Sequence, residues 1–322
     1  MEKLKLSLLQ KWELPDQYSF VHSSLLLSDG RVLILTSETD DSDKYCVLVL
    51  SSSDIKKIEI CNCNEDRRNY PVLFRFEEGF GIIKKGQQCE YYTGDFSSPE
   101  RLSIKNGDSV LQNIVPKKAQ QRYFQVTSDS SLIPVCFENN VYYGDARCFA
   151  LLEFDITKKY AEWKSFSNID KKAFTHRDDR RDETPKIDSL KIANREIYAF
   201  LSGESTTSVN KWGMDYYALA KISADGTVVE KFLESDNLKQ SSKKGGVNGV
   251  FTDSDYVVMT PLFKTDEWKG KQKLFSLTVR KYFDIGLPRG VSKHKVQNIS
   301  GDSCITSLYN RGLKEVALCK IG

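Results

Sequence analysis

The chain has three histidines and eight cysteines, and few of its reactive side chains fall at a spacing that chemistry uses. His22 lies in an apolar run, His294 sits between Lys293 and Lys295, and His176 precedes Asp178 and Asp179. That last group has metal-ligand residue types, but adjacent carboxylates in an extended segment point to opposite faces. No second histidine lies nearby, so no metal site is expected. Cys61 and Cys63 form a lone C-x-C without a second pair or a close histidine, which does not make a zinc site. A serine nucleophile elbow requires G-x-S-x-G, and Gly203-Glu204-Ser205-Thr206-Thr207 lacks the second glycine. Asp40-Asp41-Ser42-Asp43 has neither the spacing nor the glycine of a calcium loop, and no phosphate-cradling glycine motif occurs. The sequence therefore assigns no catalytic residue and no cofactor.

Residues suited to recognition stand out more clearly. Trp212 and Trp268 fall in long polar connections, Asn210-Lys211-Trp212-Gly213 and Asp266-Glu267-Trp268-Lys269-Gly270. Tryptophan buries a large area with few rotors and is enriched at interface hot spots; the alternative for each is a loop anchor packed over its own sheet. Tyr142 and Tyr143 share that ambiguity. Arg177, Arg180 and Arg181 belong to the densest charge cluster, Lys171 to Glu183, and can present guanidinium forks to carboxylates of a partner. A solvated loop is the other account of that cluster.

These residues are carried by a strand pattern that recurs along the chain. Tyr45 to Leu50, Phe149 to Phe154, Tyr217 to Ile222 and Leu274 to Val279 are each an apolar or aromatic run, followed by a polar turn and a more polar strand. Asp29-Gly30 and Asp225-Gly226 between β-rich runs are hairpin signals. The spacing, about 40 to 50 residues with several strands per unit, is that of a repeat architecture. The last repeat, Val296 to Ile321, supplies only two or three strands, and the N-terminal segment Leu6 to Leu14 is expected to complete it. Trp12 and Trp163 occupy matching positions in outer strands, and joining first and last strands in one sheet removes two exposed edges.

Over its whole length the chain resembles the β-propeller superfamily in general. The Gly-His and Trp-Asp pairs of WD repeats and the repeated double glycines of kelch repeats are missing, so the resemblance transfers no functional residue. It implies an all-β fold: one propeller domain over residues 1–322, with six four-stranded blades (five or seven left open), closed by the N-terminal strand. With the strands of each blade lettered a to d from the axis outward, the a–b and c–d turns are short, while the b–c and d–a connections are long. Long insertions concentrated on one face of a repeat protein mark a binding face.

Composition bounds the partners. The 47 basic and 44 acidic residues nearly cancel, giving a formal charge of +3, and the pI of about 8.3 lies below the value of about 9 typical of nucleic-acid-binding domains. The apolar start of the chain is broken by Lys5 and Ser7 and is short for a signal peptide, and no run approaches a membrane span. A cytoplasmic monomer with reduced thiols is expected. The leading reading is a non-enzymatic cytosolic propeller whose long-connection face docks a protein partner, in one version as a neutralising, immunity-type inhibitor. The alternative is a propeller hydrolase or lyase acting on a sugar or lactone through carboxylates at the axial mouth.

Overall fold

Two turns show how neighbouring strands are set. At Asp29-Gly30 the Asp29 carboxylate accepts the Arg31 amide at 3.0 Å, and Gly30 takes a φ of +86°, open to glycine at little cost. Asp225-Gly226 repeats the device: Asp225 accepts the Thr227 amide at 3.0 Å, and the φ of Gly226 is +88°. The strands between such turns differ by position. Central strands such as Tyr45–Leu50 are buried at every residue, whereas outer ones such as Val228–Glu234 are half exposed, the pattern of sheets packed on both sides and solvated at one edge.

The computed structural model describes residues 2–39, 44–60, 71–77, 79–84, 88–106, 119–121, 127–128, 131–139, 147–170, 173–174, 186–203, 216–235, 246–262 and 268–322. Strand β1 (Lys3–Glu13) precedes a four-stranded sheet of β2 (Tyr18–Leu26), β3 (Val32–Glu38), β4 (Tyr45–Leu50) and β5 (Ile55–Ile60). The next sheet holds β6 (Val72–Phe76), β7 (Gly79–Lys84), β8 (Gln88–Thr93) and β9 (Glu100–Ser103). The third is built from β10 (Ala119–Gln121), β12 (Leu132–Asn139), β13 (Arg147–Asp155) and β14 (Tyr160–Asn168). Strand β11 (Thr127–Ser128) leaves that sheet to pair parallel with β15 (Lys186–Ala193), making a five-stranded sheet with β16 (Glu196–Gly203), β17 (Tyr216–Ile222) and β18 (Val228–Glu234).

The remaining strands form one eight-stranded sheet. Its first half is β19 (Val247–Phe251), β20 (Tyr256–Pro261), β21 (Lys273–Ser276) and β22 (Tyr282–Gly286). The second is β23 (Lys295–Ser300), β24 (Ser303–Tyr309), β25 (Leu313–Ile321) and β1. Leu6 to Glu13 run antiparallel to β25, so the N-terminal segment pairs with the C-terminal one. The sequence reading expected separate sheets throughout. Instead, β1 extends past β25, and its residues Lys3 to Lys5 pair parallel with Asp284 to Gly286 of β22, fusing the two halves.

Among the described residues, four buried clusters lie between successive sheets and a fifth packs the two halves of the eight-stranded sheet together. One joins the β2–β5 and β6–β9 sheets through Leu33, Val47, Phe80 and Tyr92; another joins β1, β24 and β25 to the β2–β5 sheet through Trp12, Ile34, Leu48 and Val316. Innermost strands complete a circuit, with β2 touching β6 on one side and β23 on the other. The arrangement is all-β and propeller-like. Among the described residues, no helix is long and apolar enough to cross a membrane.

Candidate functional site

The innermost strands bring polar side chains together at the ends that carry the short turns. Asp253 lies in the turn between β19 and β20, and its amide donates to Asn298 Oδ1 at 3.0 Å. Asn298 on β23 is fully buried. Its Nδ2 donates to Asp253 Oδ2 at 3.0 Å and to the Ser24 carbonyl of β2 at 2.9 Å. Arg75 on β6 reaches in from another sheet, donating to the Leu26 carbonyl at 3.1 Å and standing 3.9 Å from Asp253 Oδ2. From β15, the Lys191 ammonium donates to the carbonyls of Thr252 at 2.9 Å and Ser254 at 2.5 Å. Residues of four of the five sheets thus meet around one carboxyl group.

A cavity of about 520 Å³ opens beside this network, within the size range of small-molecule sites. Its outer wall is charged and aromatic. Glu196 pairs with Lys221 and accepts the Tyr198 hydroxyl at 2.7 Å. Glu230 pairs with Arg280 at 2.7 Å, and that guanidinium lies 4.8 Å over the Phe232 ring. Asp255 accepts the Thr278 amide at 3.1 Å and its hydroxyl at 2.7 Å.

Two carboxyls of this cavity are shifted in opposite directions. Burial pushes the Asp253 carboxyl above its ordinary range, against the opposing pull of Arg75, Asn298 and Lys191. Its side chain is only 5% exposed. Glu196 is held below its ordinary range, first by the Lys221 hydrogen bond and then by Tyr198. The Tyr198 hydroxyl is pushed up to about 12, mainly by burial. Two carboxyls whose proton affinities are pushed apart in a single cavity can supply an acid and a base.

The cavity lies at the a–b and c–d turns, opposite the long connections in which the sequence placed partner recognition. Trp268 is 2% exposed, with its ring edge-on to Tyr282 at 6.2 Å and under the Lys273 ammonium at 4.7 Å. It is a loop anchor within the cluster of Phe200, Leu219 and Phe275. Trp212, Arg177, Arg180, Arg181, Tyr142 and Tyr143 lie outside the described residues, as do His176, Asp178, Asp179, Cys61 and Cys63. His22 is packed beside Phe20 and Tyr45 and bonded to Ser37 Oγ at 3.0 Å, away from the cavity. His294 is buried between the Thr306 hydroxyl and the Glu315 carboxylate. Among the described residues, no group of three or more His, Cys, Asp or Glu side chains is placed to hold a metal.

The cavity residues passed unnoticed in the sequence. A signal was present: Arg75 interrupts Val72-Leu73-Phe74-Arg75-Phe76, and Lys191 interrupts Leu190-Lys191-Ile192. A charge on an innermost, otherwise apolar strand needs a partner, which marks the place where such a partner must lie.

No family model and no curated protein matches the sequence. Solved structures do match the fold. A Penicillium chrysogenum α-L-arabinanase, solved with arabinobiose, superposes with a TM-score of 0.56 at 9% identity, covering 99% of this chain and 97% of that one. A Fusarium graminearum family GH93 α-L-arabinofuranosidase, also solved with arabinobiose, gives a TM-score of 0.55 at 10% identity, covering 97% of this chain and 98% of that one. At such identities the likeness is one of fold alone, and that fold is β-propeller-like.

Proposed function

We propose that residues 1–322 form a single six-bladed propeller, the two halves of the eight-stranded sheet counting as separate blades. We further propose that it is a hydrolase acting on a sugar glycoside or lactone at the cavity beside Asp253. The observation that carries this is the placement of Asp253 and Glu196, shifted in opposite directions, in one cavity with aromatic walls. In this reading Asp253 is the general acid, and Glu196, Glu230 or Asp255 activates water or stabilises the developing positive charge. The two structural relatives solved with arabinobiose support the same substrate class.

The test is turnover by the purified full chain of p-nitrophenyl α-L-arabinofuranoside, arabino-oligosaccharides and aldonolactones. Asp253→Asn, at unchanged melting temperature, is expected to lower kcat by about a hundredfold or more. A folded wild-type protein that turns over nothing in the panel overturns the reading, as does an Asp253→Asn variant with full activity.

A second reading has its own observation. The Arg75, Asp253 and Asn298 network ties β2, β6 and β23 to the turn after β19, as expected of a propeller whose innermost strands are bound together by side chains. Such a protein would be non-enzymatic and cytosolic, and would bind a protein partner through the long-connection face, as a neutralising inhibitor does. Affinity purification from the native host tests it: a stoichiometric partner cross-linked to that face supports it, and one cross-linked to the short-turn face overturns it.

A further inference from the structure

Most charged groups around the cavity are engaged with one another or with neighbouring polar groups. Lys221 is taken by Glu196, and Arg280 by Glu230. Asp255 is occupied by hydroxyl groups, those of Ser276 and Thr278. Lys191 is bonded to the carbonyls of Thr252 and Ser254, and Arg75 stands across from the Asp253 carboxyl.

Arg75 is the cation open to a ligand. Its nearest approach to Asp253 is 3.9 Å, beyond hydrogen-bond reach. Among the described residues its one hydrogen bond goes to the Leu26 carbonyl, and a guanidinium has five N–H groups. Its side chain is 35% exposed and lines the cavity. A guanidinium with an unused edge matches a carboxylate in bidentate geometry better than it matches a hydroxyl.

We propose that the ligand of this cavity is an acidic sugar, a hexuronic acid or its glycoside, whose carboxylate is taken by the guanidinium of Arg75. This rests on the reading of the cavity as a sugar site and adds that the sugar is anionic. The Tyr198 ring provides the apolar surface against which a pyranose ring would lie, and Arg75 makes the distinction between a uronate and its neutral counterpart.

The test is an NMR titration of the full chain with D-galacturonate and D-glucuronate against D-galactose and D-glucose, together with turnover of p-nitrophenyl β-D-glucuronide. The uronates are expected to bind at least ten times more tightly than the neutral sugars. Arg75→Gln should abolish that preference; if it does not fold, Arg75→Lys, which keeps the charge and loses the fork, should reduce it. Equal or tighter binding of neutral sugars, or a uronate preference that survives in the folded Arg75 variant, overturns the inference and leaves the hydrolase reading standing. Arg75-dependent uronate binding without turnover of the glucuronide or of the neutral panel sustains the inference and overturns the hydrolase reading. Binding of neither class overturns both.

Discussion

The indole N–H of Trp12 donates to the carbonyl of Ser51 at 2.7 Å. Trp12 belongs to β1, in the sheet completed by the C-terminal strands, and Ser51 opens the outer turn of the β2–β5 sheet. Gln10, two residues earlier, reaches the Ser51 and Ser52 carbonyls at 3.1 and 3.2 Å. The first strand of the chain is therefore bonded to its own sheet, to β22 and to the neighbouring sheet at once.

Loss of that strand should be severe. Deleting residues 1–14 uncovers the ladder edges of β25 and β22, which invites edge-to-edge association. We expect aggregation on size-exclusion chromatography. Trp12→Phe, which loses one hydrogen bond, should cost about 1 kcal/mol, and Trp12→Ala about 3–5 kcal/mol, read from urea unfolding. A truncated protein that stays monomeric with an unchanged melting temperature would refute this.

His22 should set part of the acid limit of stability. Burial pushes its imidazole from 6.5 to about 3. The unfolded chain binds a proton at this position below about pH 6.5, whereas the folded chain does so only near pH 3. Stability therefore falls as pH drops through that window, by at most about 1.4 kcal/mol per pH unit from this group. His22→Gln should flatten the dependence by one proton between pH 6 and pH 4, measured by urea unfolding at several pH values. An identical slope in wild type and variant would rule out a buried neutral imidazole.

Two glycines with the same backbone should respond differently to alanine. A Cβ on Gly30 would meet nothing within 4 Å, so Gly30→Ala is expected to cost only the left-handed strain of about 1–2 kcal/mol. A Cβ on Gly226 would fall 1.8 Å from the Asn168 carbonyl oxygen, in a turn that also accepts the Asp170 amide. Gly226→Ala should therefore be the more destabilising in thermal melts by several degrees. Equal melting temperatures for the two variants would contradict the close approach.

Trp268→Ala should lose stability by about 3–5 kcal/mol, as expected for a large buried aromatic side chain. Of the loop tryptophans, that leaves Trp212 to probe a docking surface. In the protein-binding reading, Trp212→Ala keeps the melting temperature and weakens the partner by about 2 kcal/mol or more, measured by calorimetry. A Trp268→Ala variant as stable as wild type would return that residue to the docking set.

The six described cysteines are buried. Burial pushes the Cys46 and Cys148 thiols up to about 12 and raises those of Cys89, Cys304 and Cys319 as well. A thiol held in that state is a poor nucleophile. These six should resist iodoacetamide in the native protein, and all eight cysteines should be alkylated after unfolding without reductant, counted by mass spectrometry. Linked pairs in fresh protein would overturn the assignment of reduced thiols.

The strands and their turns were legible in the sequence because they depend on near neighbours. Asp29-Gly30 and Asp225-Gly226 make their turns with their own side chains and backbone, and the unbroken apolar run Tyr45 to Leu50 announces a strand buried on both faces. The incomplete last repeat likewise pointed to Leu6 to Leu14 as its missing strand. What a local pattern does not contain is the partner of Lys3 to Lys5, which depends on how far β1 overhangs β25. Nor does it contain the exposure of Trp268, since a tryptophan in a polar connection reads the same whether it faces solvent or the core. The cavity is the clearest case. Arg75, Lys191, Asp253 and Asn298 come from three strands and a turn far apart in the chain and meet only because burial of the apolar clusters between sheets draws the innermost strands together. The sequence determined which segments are strands and where they turn, through propensities and hydrogen bonds that act over a few residues. The tertiary structure alone decided which charges face one another, because that follows from packing between sheets.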